Sequence, residues 1–96
     1  MKLSDEFLLT PMGERYVLVP VGRAADKFHG VLKLNETAAF IVRRLQSETD
    51  FDKIVNTMAA EYEGTREQFA EGVEATLAQL RAIGALAESS ASPKNK

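Results

Sequence analysis

Val31-Leu32-Lys33-Leu34-Asn35-Glu36-Thr37-Ala38 is where the character of this chain changes. Leu32 and Leu34 alternate with Val31 and Lys33, the two-residue period of a strand buried on one face. Asn35 then supplies the side-chain oxygen that suits the start of a helix. Beyond it Ala38, Ile41, Val42 and Leu45 recur at the 3, 4, 7 spacing of one buried helical face. The chain reads as strand before this junction and as helix after it.

Upstream, Phe7-Leu8-Leu9-Thr10 and Arg15-Tyr16-Val17-Leu18-Val19 are short runs of aromatic and branched residues. Pro11-Met12-Gly13-Glu14 between them has the composition of a reversing turn, which predicts an antiparallel hairpin. Pro20, with no amide to donate, ends the second strand, and residues 21–30 follow as a polar connection that holds His29, the chain's single histidine. Downstream, the first helix is expected over residues 36–46. Thr49 with Asp52 resembles a capping box before the apolar stripe Phe51, Ile54, Val55, Met58, Ala59 and Tyr62, which ends near Glu63 and Gly64. Thr65 with Gln68 gives a second box, and Phe69, Val73, Leu77, Leu80 and Ile83 carry a third helix over residues 65–83 to Gly84. Ala85-Leu86-Ala87 is expected to add a short extended segment against the sheet. The expected fold is α+β and winged helix-turn-helix-like, a small N-terminal three-stranded antiparallel sheet followed by three helices. One domain over residues 1–87 accounts for it. Residues 88–96, without a large apolar side chain, are expected to form a disordered tail.

Composition narrows the function by exclusion. The 96 residues hold no Cys, which removes disulfides, thiolate metal sites and thiol nucleophiles together. No export signal or membrane-spanning run is visible, so a cytoplasmic protein without membrane contact is the expectation. Asn35-Glu36-Thr37 matches a glycosylation acceptor formally, but without an export signal it reads as a helix start. His29 sits in a polar stretch without a Gly-x-Ser-x-Gly turn, so no catalytic triad is supported. Glu67, Glu71 and Glu74 recur at helical spacing, but with no His or Cys beside them they read as a solvated face rather than a metal site. Gly13, Gly22 and Gly30 make no phosphate-binding pattern. No enzyme activity, cofactor or metal is expected.

A winged-helix regulator of transcription is the alternative to weigh. Its recognition helix would be the third, where Arg66 and Arg81 stand against Glu67, Glu71 and Glu74, a net −1 that repels the phosphates flanking a groove. Arg43 and Arg44 form a basic doublet but no stripe, and the whole chain is at −2, so no nucleic acid is expected as a partner. The strand of Val31, Leu32, Lys33 and Leu34 offers a different kind of surface. An edge strand presents unpaired amides and carbonyls that another extended chain can complete, and Lys33 equally suits a guard against indiscriminate pairing.

Tyr16-Val17-Leu18-Val19-Pro20, Leu34-Asn35-Glu36-Thr37-Ala38-Ala39-Phe40-Ile41, Glu61-Tyr62, and Val73, Leu77 and Leu80 leading to Gly84 and Leu86 together resemble the PqqD family. The resemblance runs from about Phe7 to Ala87 and is most specific at residues 34–38. It implies a winged-helix-like protein, without catalytic activity or DNA binding, that holds the leader of a ribosomally made precursor peptide. The peptide would add as a strand between the third strand and the third helix and be presented to a modifying enzyme, often a radical SAM enzyme. Carried onto this chain, the peptide-binding residues are Val31, Leu32, Lys33 and Leu34 of the strand, and Phe69, Val73, Glu74 and Leu77 of the helix, with selectivity pockets beside Phe69, Val73 and Leu77. A homodimer closed through the same edge is compatible with this. Gly72 departs from the family pattern, where a side chain is expected. Its cost of about 1 kcal/mol relative to Ala in a helix hints at close approach by another backbone or at packing.

Overall fold

The computed structural model describes residues 1–87, so the expected tail over residues 88–96 lies outside the described residues. The elements in chain order are β1 (Lys2–Leu3), β2 (Phe7–Met12), β3 (Arg15–Pro20), α1 (Arg23–Lys27), β4 (Leu32–Leu34), α2 (Glu36–Arg44), α3 (Phe51–Glu61), α4 (Arg66–Ala82) and β5 (Leu86–Ala87). The fold is α+β, with β2, β3 and β4 in an antiparallel sheet of that order and the helices packed on one face of it. The expected first, second and third helices are α2, α3 and α4.

Alternation sorts the sheet's side chains. Phe7, Leu18 and Leu34 are buried on the inner face, with Leu9, Tyr16 and Leu32 packed against the same core. Ile41, Val42 and Leu45 of α2 and its C-cap, Ile54, Val55 and Met58 of α3, and Val73, Leu77 and Leu80 of α4 complete it. The opposite face carries Leu8, Met12, Val19 and Lys33. The alternation read at residues 31–34 therefore holds: Leu34 is buried and Leu32 half-buried, while Val31 and Lys33 are exposed.

Local chemistry sets the helix ends. Asn35 Oδ1 accepts from the Ala38 amide at 2.7 Å and starts α2. Thr65 and Gln68 form the full reciprocal box at the start of α4. At its end Gly84 takes φ 74°, a conformation that glycine adopts without steric cost. The Ala85 amide then reaches the Leu80 carbonyl at 2.8 Å and the Gly84 amide the Arg81 carbonyl at 3.1 Å, the paired bonds of a Schellman close.

The structure departs from the sequence reading at several points. The reversing turn is Gly13-Glu14 alone, because Pro11 and Met12 continue β2 opposite Tyr16 and Arg15. The cap of α3 is Asp50 rather than Thr49: Asp50 Oδ1 accepts from the Lys53 amide at 2.8 Å, while the Thr49 amide is bound to the Met1 carbonyl at 3.0 Å. The connection over residues 21–30 contains a fourth helix, α1, a single turn that buries Ala24 and is followed by Phe28, whose ring meets Phe7 edge-on at 6.2 Å. Val31 precedes β4 rather than belonging to it. The segment Leu86–Ala87 is extended as expected, but it pairs with Lys2–Leu3 in a separate two-stranded ribbon and not with the three-stranded sheet. That ribbon is tied to the end of α2 by Leu3 N–H to Leu45 O at 2.9 Å, and Ser4 N–H to Ala85 O at 2.7 Å extends its own pairing by one position.

Candidate functional site

β4 is the terminal strand of its sheet, and among the described residues it pairs with β3 alone. The register decides which of its backbone groups face outward. The two-residue loop Gly13-Glu14 makes Met12 and Arg15 the narrow hydrogen-bonded pair next to the turn, after which bonded and non-bonded pairs alternate. Pro11 and Pro20 then fall at non-bonded positions, where a missing amide costs nothing. Val17 is bonded to Thr10 in this pattern, so its pairing with Lys33 is of the non-bonded kind. Leu32 and Leu34 turn their amides and carbonyls to β3, and Lys33 turns both of its own to the free edge. Lys33 makes no ion pair among the described residues, and its side chain stands on the outer face of the sheet.

α4 supplies the helical side. Val73 and Leu77 are 0% and 2% exposed and sit in the core with Leu34, beneath the accessible surface of α4. Their part is to hold α4 on the core. The accessible residues are on the flanks. Phe69, Gly72 and Thr76 are half-buried and lie along one flank, whereas Glu74, exposed, is five residues from Phe69 and thus about 140° around the helix. Phe69 and Glu74 therefore cannot both face one peptide strand.

Gly72 stands in the open part of that flank. A β-carbon built there meets nothing within 4 Å, so neither close approach by a backbone of this chain nor packing explains the glycine. Gly72→Ala is accordingly expected to raise the unfolding free energy by about 0.5–1 kcal/mol, the helix-propensity difference with no steric cost against it. Chemical denaturation checks this, and a destabilised variant would mean that the flank is crowded.

A cavity of about 550 Å³ opens at the Leu34 end of β4. Its walls are Tyr16 of β3, Leu34, Asn35, Phe40 and Arg43 of α2, and Tyr62 just past α3. Phe40 and Tyr62 meet edge-to-face at 5.3 Å, and the guanidinium groups of Arg43 and Arg44 lie 6.0 Å and 4.9 Å from the ring centres of Tyr16 and Phe40. The sequence reading missed these residues as a group. One signal was present: Phe40 falls outside the Ala38, Ile41, Val42, Leu45 stripe of its helix, an aromatic ring with no place in the core pattern. Among the described residues, no cluster of His, Cys, Asp or Glu has the geometry to hold a metal, and no helix is long and apolar enough to cross a membrane.

A family model described as Coenzyme PQQ synthesis protein D (PqqD) matches residues 15–86. Two solved structures are similar to the chain. One is described as TbiB1 in complex with the TbiA(beta) leader peptide, with TM-score 0.76 and 20% identity, over 94% of this chain and 99% of that one. The other is described as lasso peptide synthetase B1 complexed with the leader peptide, with TM-score 0.73 and 25% identity, over 91% of this chain and 96% of that one. No curated protein sequence matches the chain.

Proposed function

We propose that this chain, which belongs to the PqqD family, is a non-catalytic peptide chaperone that holds the leader of a ribosomally made precursor and presents it to a peptide-modifying enzyme. The observation that carries this reading is the free edge of β4, where Lys33 turns its amide and carbonyl outward on a strand paired on one side only. An extended peptide satisfies both groups and gains affinity that depends little on its sequence, while side chains on either face supply selectivity. The two similar folds described with leader peptides support it. In this reading the partner enzyme is a radical SAM enzyme or another peptide-modifying enzyme encoded beside the chain, and the protein works in the cytoplasm. A homodimer closed through β4 would compete with the peptide, which size measurement across a dilution series detects.

The DNA-binding alternative has no observation in its favour. α4 keeps its excess of acids over bases, and the Arg66 guanidinium is already hydrogen-bonded to Asn56 Oδ1 at 2.7 Å. A titration with duplex DNA at moderate salt is expected to give no sequence-discriminating binding.

Amide chemical-shift mapping with the leader peptide of a neighbouring precursor gene tests the reading directly. Shifts are expected at residues 31–34 and along the Phe69, Gly72 and Thr76 flank of α4. If only α2 near Arg43 and Arg44 responds while β4 stays silent, strand addition is the wrong mechanism.

A further inference from the structure

We infer that the basic groove between the end of α2 and the start of α3 is the docking surface for an acidic segment of the peptide-modifying enzyme, used while β4 holds the leader. The inference rests on the chaperone reading and adds to it where the enzyme attaches and what chemistry it must present.

The chain as a whole carries −2, yet cations gather here. Arg43 and Arg44 in the last turn of α2 and Lys53 in the first turn of α3 line a groove of about 540 Å³, and Ser47 and Thr57 add hydroxyls to its walls. Arg66 joins them from the start of α4. Its guanidinium donates at 2.7 Å to Oδ1 of Asn56, another wall of the groove and a neutral group, so its charge stays uncompensated. Among the described residues none of these four cations makes an ion pair. The nearby acids are engaged elsewhere: Glu48 is paired with the Met1 ammonium, and Asp50 Oδ1 accepts from the Lys53 amide.

Two of the cations are oriented in advance. The Arg44 guanidinium lies 4.9 Å from the Phe40 ring centre and that of Arg43 lies 6.0 Å from the Tyr16 ring centre, distances at which a cation is attracted to the ring face. Stacking restrains the guanidinium without using its N–H donors. A planar fork held in this way takes a carboxylate by two parallel hydrogen bonds, and arginine is enriched at protein interfaces.

Placement decides the occupant. Presentation requires peptide and enzyme to be bound at the same time, so the enzyme has to attach outside the peptide's cleft. No residue of β4 and none of the Phe69, Gly72 and Thr76 flank of α4 lines the groove. The leader satisfies the edge of β4, which leaves the unpaired cations to a second partner of opposite sign. Such a cluster also speeds encounter with that partner, an effect that salt screens.

The test uses the full chain, a labelled leader peptide from the neighbouring precursor gene and the modifying enzyme encoded beside it. Lys53→Glu is the first variant, because an acid in the first turn of α3 suits the helix dipole and keeps the fold. Arg43→Glu combined with Arg44→Glu is the second, with circular dichroism as its check on folding. Enzyme binding is expected to weaken by about fivefold in the first and about tenfold or more in the second, while both bind the leader within about twofold of the parent. Added salt should weaken enzyme binding by the parent more than by the double variant. Unchanged enzyme affinity in both variants overturns the inference and leaves the chaperone reading intact. A matching loss of leader affinity overturns it too, because the groove would then be part of the peptide's own site. If the parent binds the leader at β4 but never the enzyme, presentation and the inference fall together. If the enzyme docks and both variants weaken it while no leader reaches β4, the docking surface stands and strand addition is what fails.

Discussion

Leu77→Ala is expected to lower the unfolding free energy by about 2–5 kcal/mol. Leu77 is 2% exposed and belongs to the same core as Leu18, Ile41, Val55 and Met58. The change removes three buried carbons, about 2 kcal/mol of transfer free energy, and the cavity adds to that because α4 is pinned at both ends. The Thr65 and Gln68 box holds one end and the Schellman bonds at Gly84 the other, so the helix has little freedom to collapse onto the space. Domains of this size are stable by about 5–15 kcal/mol, so the loss is a third or more at the lower end of that range. It corresponds to a fall in Tm of about 8 °C or more. Glu74→Ala, on the same helix but exposed, should stay within about 0.5 kcal/mol. Urea denaturation measures both, with an unchanged slope showing that only the native state was affected. A Leu77→Ala protein that melts within a degree or two of the parent would mean that the buried face of α4 has been misassigned.

Features whose causes lie within a few residues were legible in the sequence. Asn35 announces α2 because its own side chain reaches Ala38; Thr65 and Gln68 announce α4 by the same logic, and Gly84 closes it. The two-residue alternation at Leu32, Lys33 and Leu34 was enough to sort core from surface. What escaped was short or long-range. A two-residue strand such as Lys2–Leu3 has no period to detect, and its partner Leu86–Ala87 lies at the other end of the described chain. One turn of helix at Arg23–Lys27 is equally without periodicity. The aromatic cavity is assembled from Tyr16, Leu34, Phe40 and Tyr62, which no local pattern unites. At the candidate site, the apolar spacing of Val73 and Leu77 marked them correctly as one face of α4, but spacing alone does not say that the face is covered by the protein's own core. The open flank beside it, with Gly72, is visible only once the neighbours are in place.

Lys33→Pro is expected to abolish leader-peptide binding, a loss of about 100-fold or more, while the protein stays folded. The direction of one amide decides both halves. Lys33 pairs with Val17 at a position where neither residue's backbone bonds the other, so its N–H points to the free edge and proline there breaks no bond of the existing sheet. Edge positions with an outward amide are where strands tolerate proline, and Pro11 and Pro20 already occupy positions of the non-bonded kind in β2 and β3. The incoming peptide, however, loses a main-chain bond and meets the proline ring where its own backbone must lie. Lys33→Ala is the contrast. It keeps the amide, removes only a side chain on the outer face, and should change affinity by no more than about threefold, because main-chain pairing carries most of the attachment. Circular dichroism and the amide spectrum report the fold, and a titration of labelled leader peptide reports binding. If Lys33→Pro unfolds β4, the amide points inward and the register has been misread. If it folds and binds as tightly as the parent, β4 is not the docking edge.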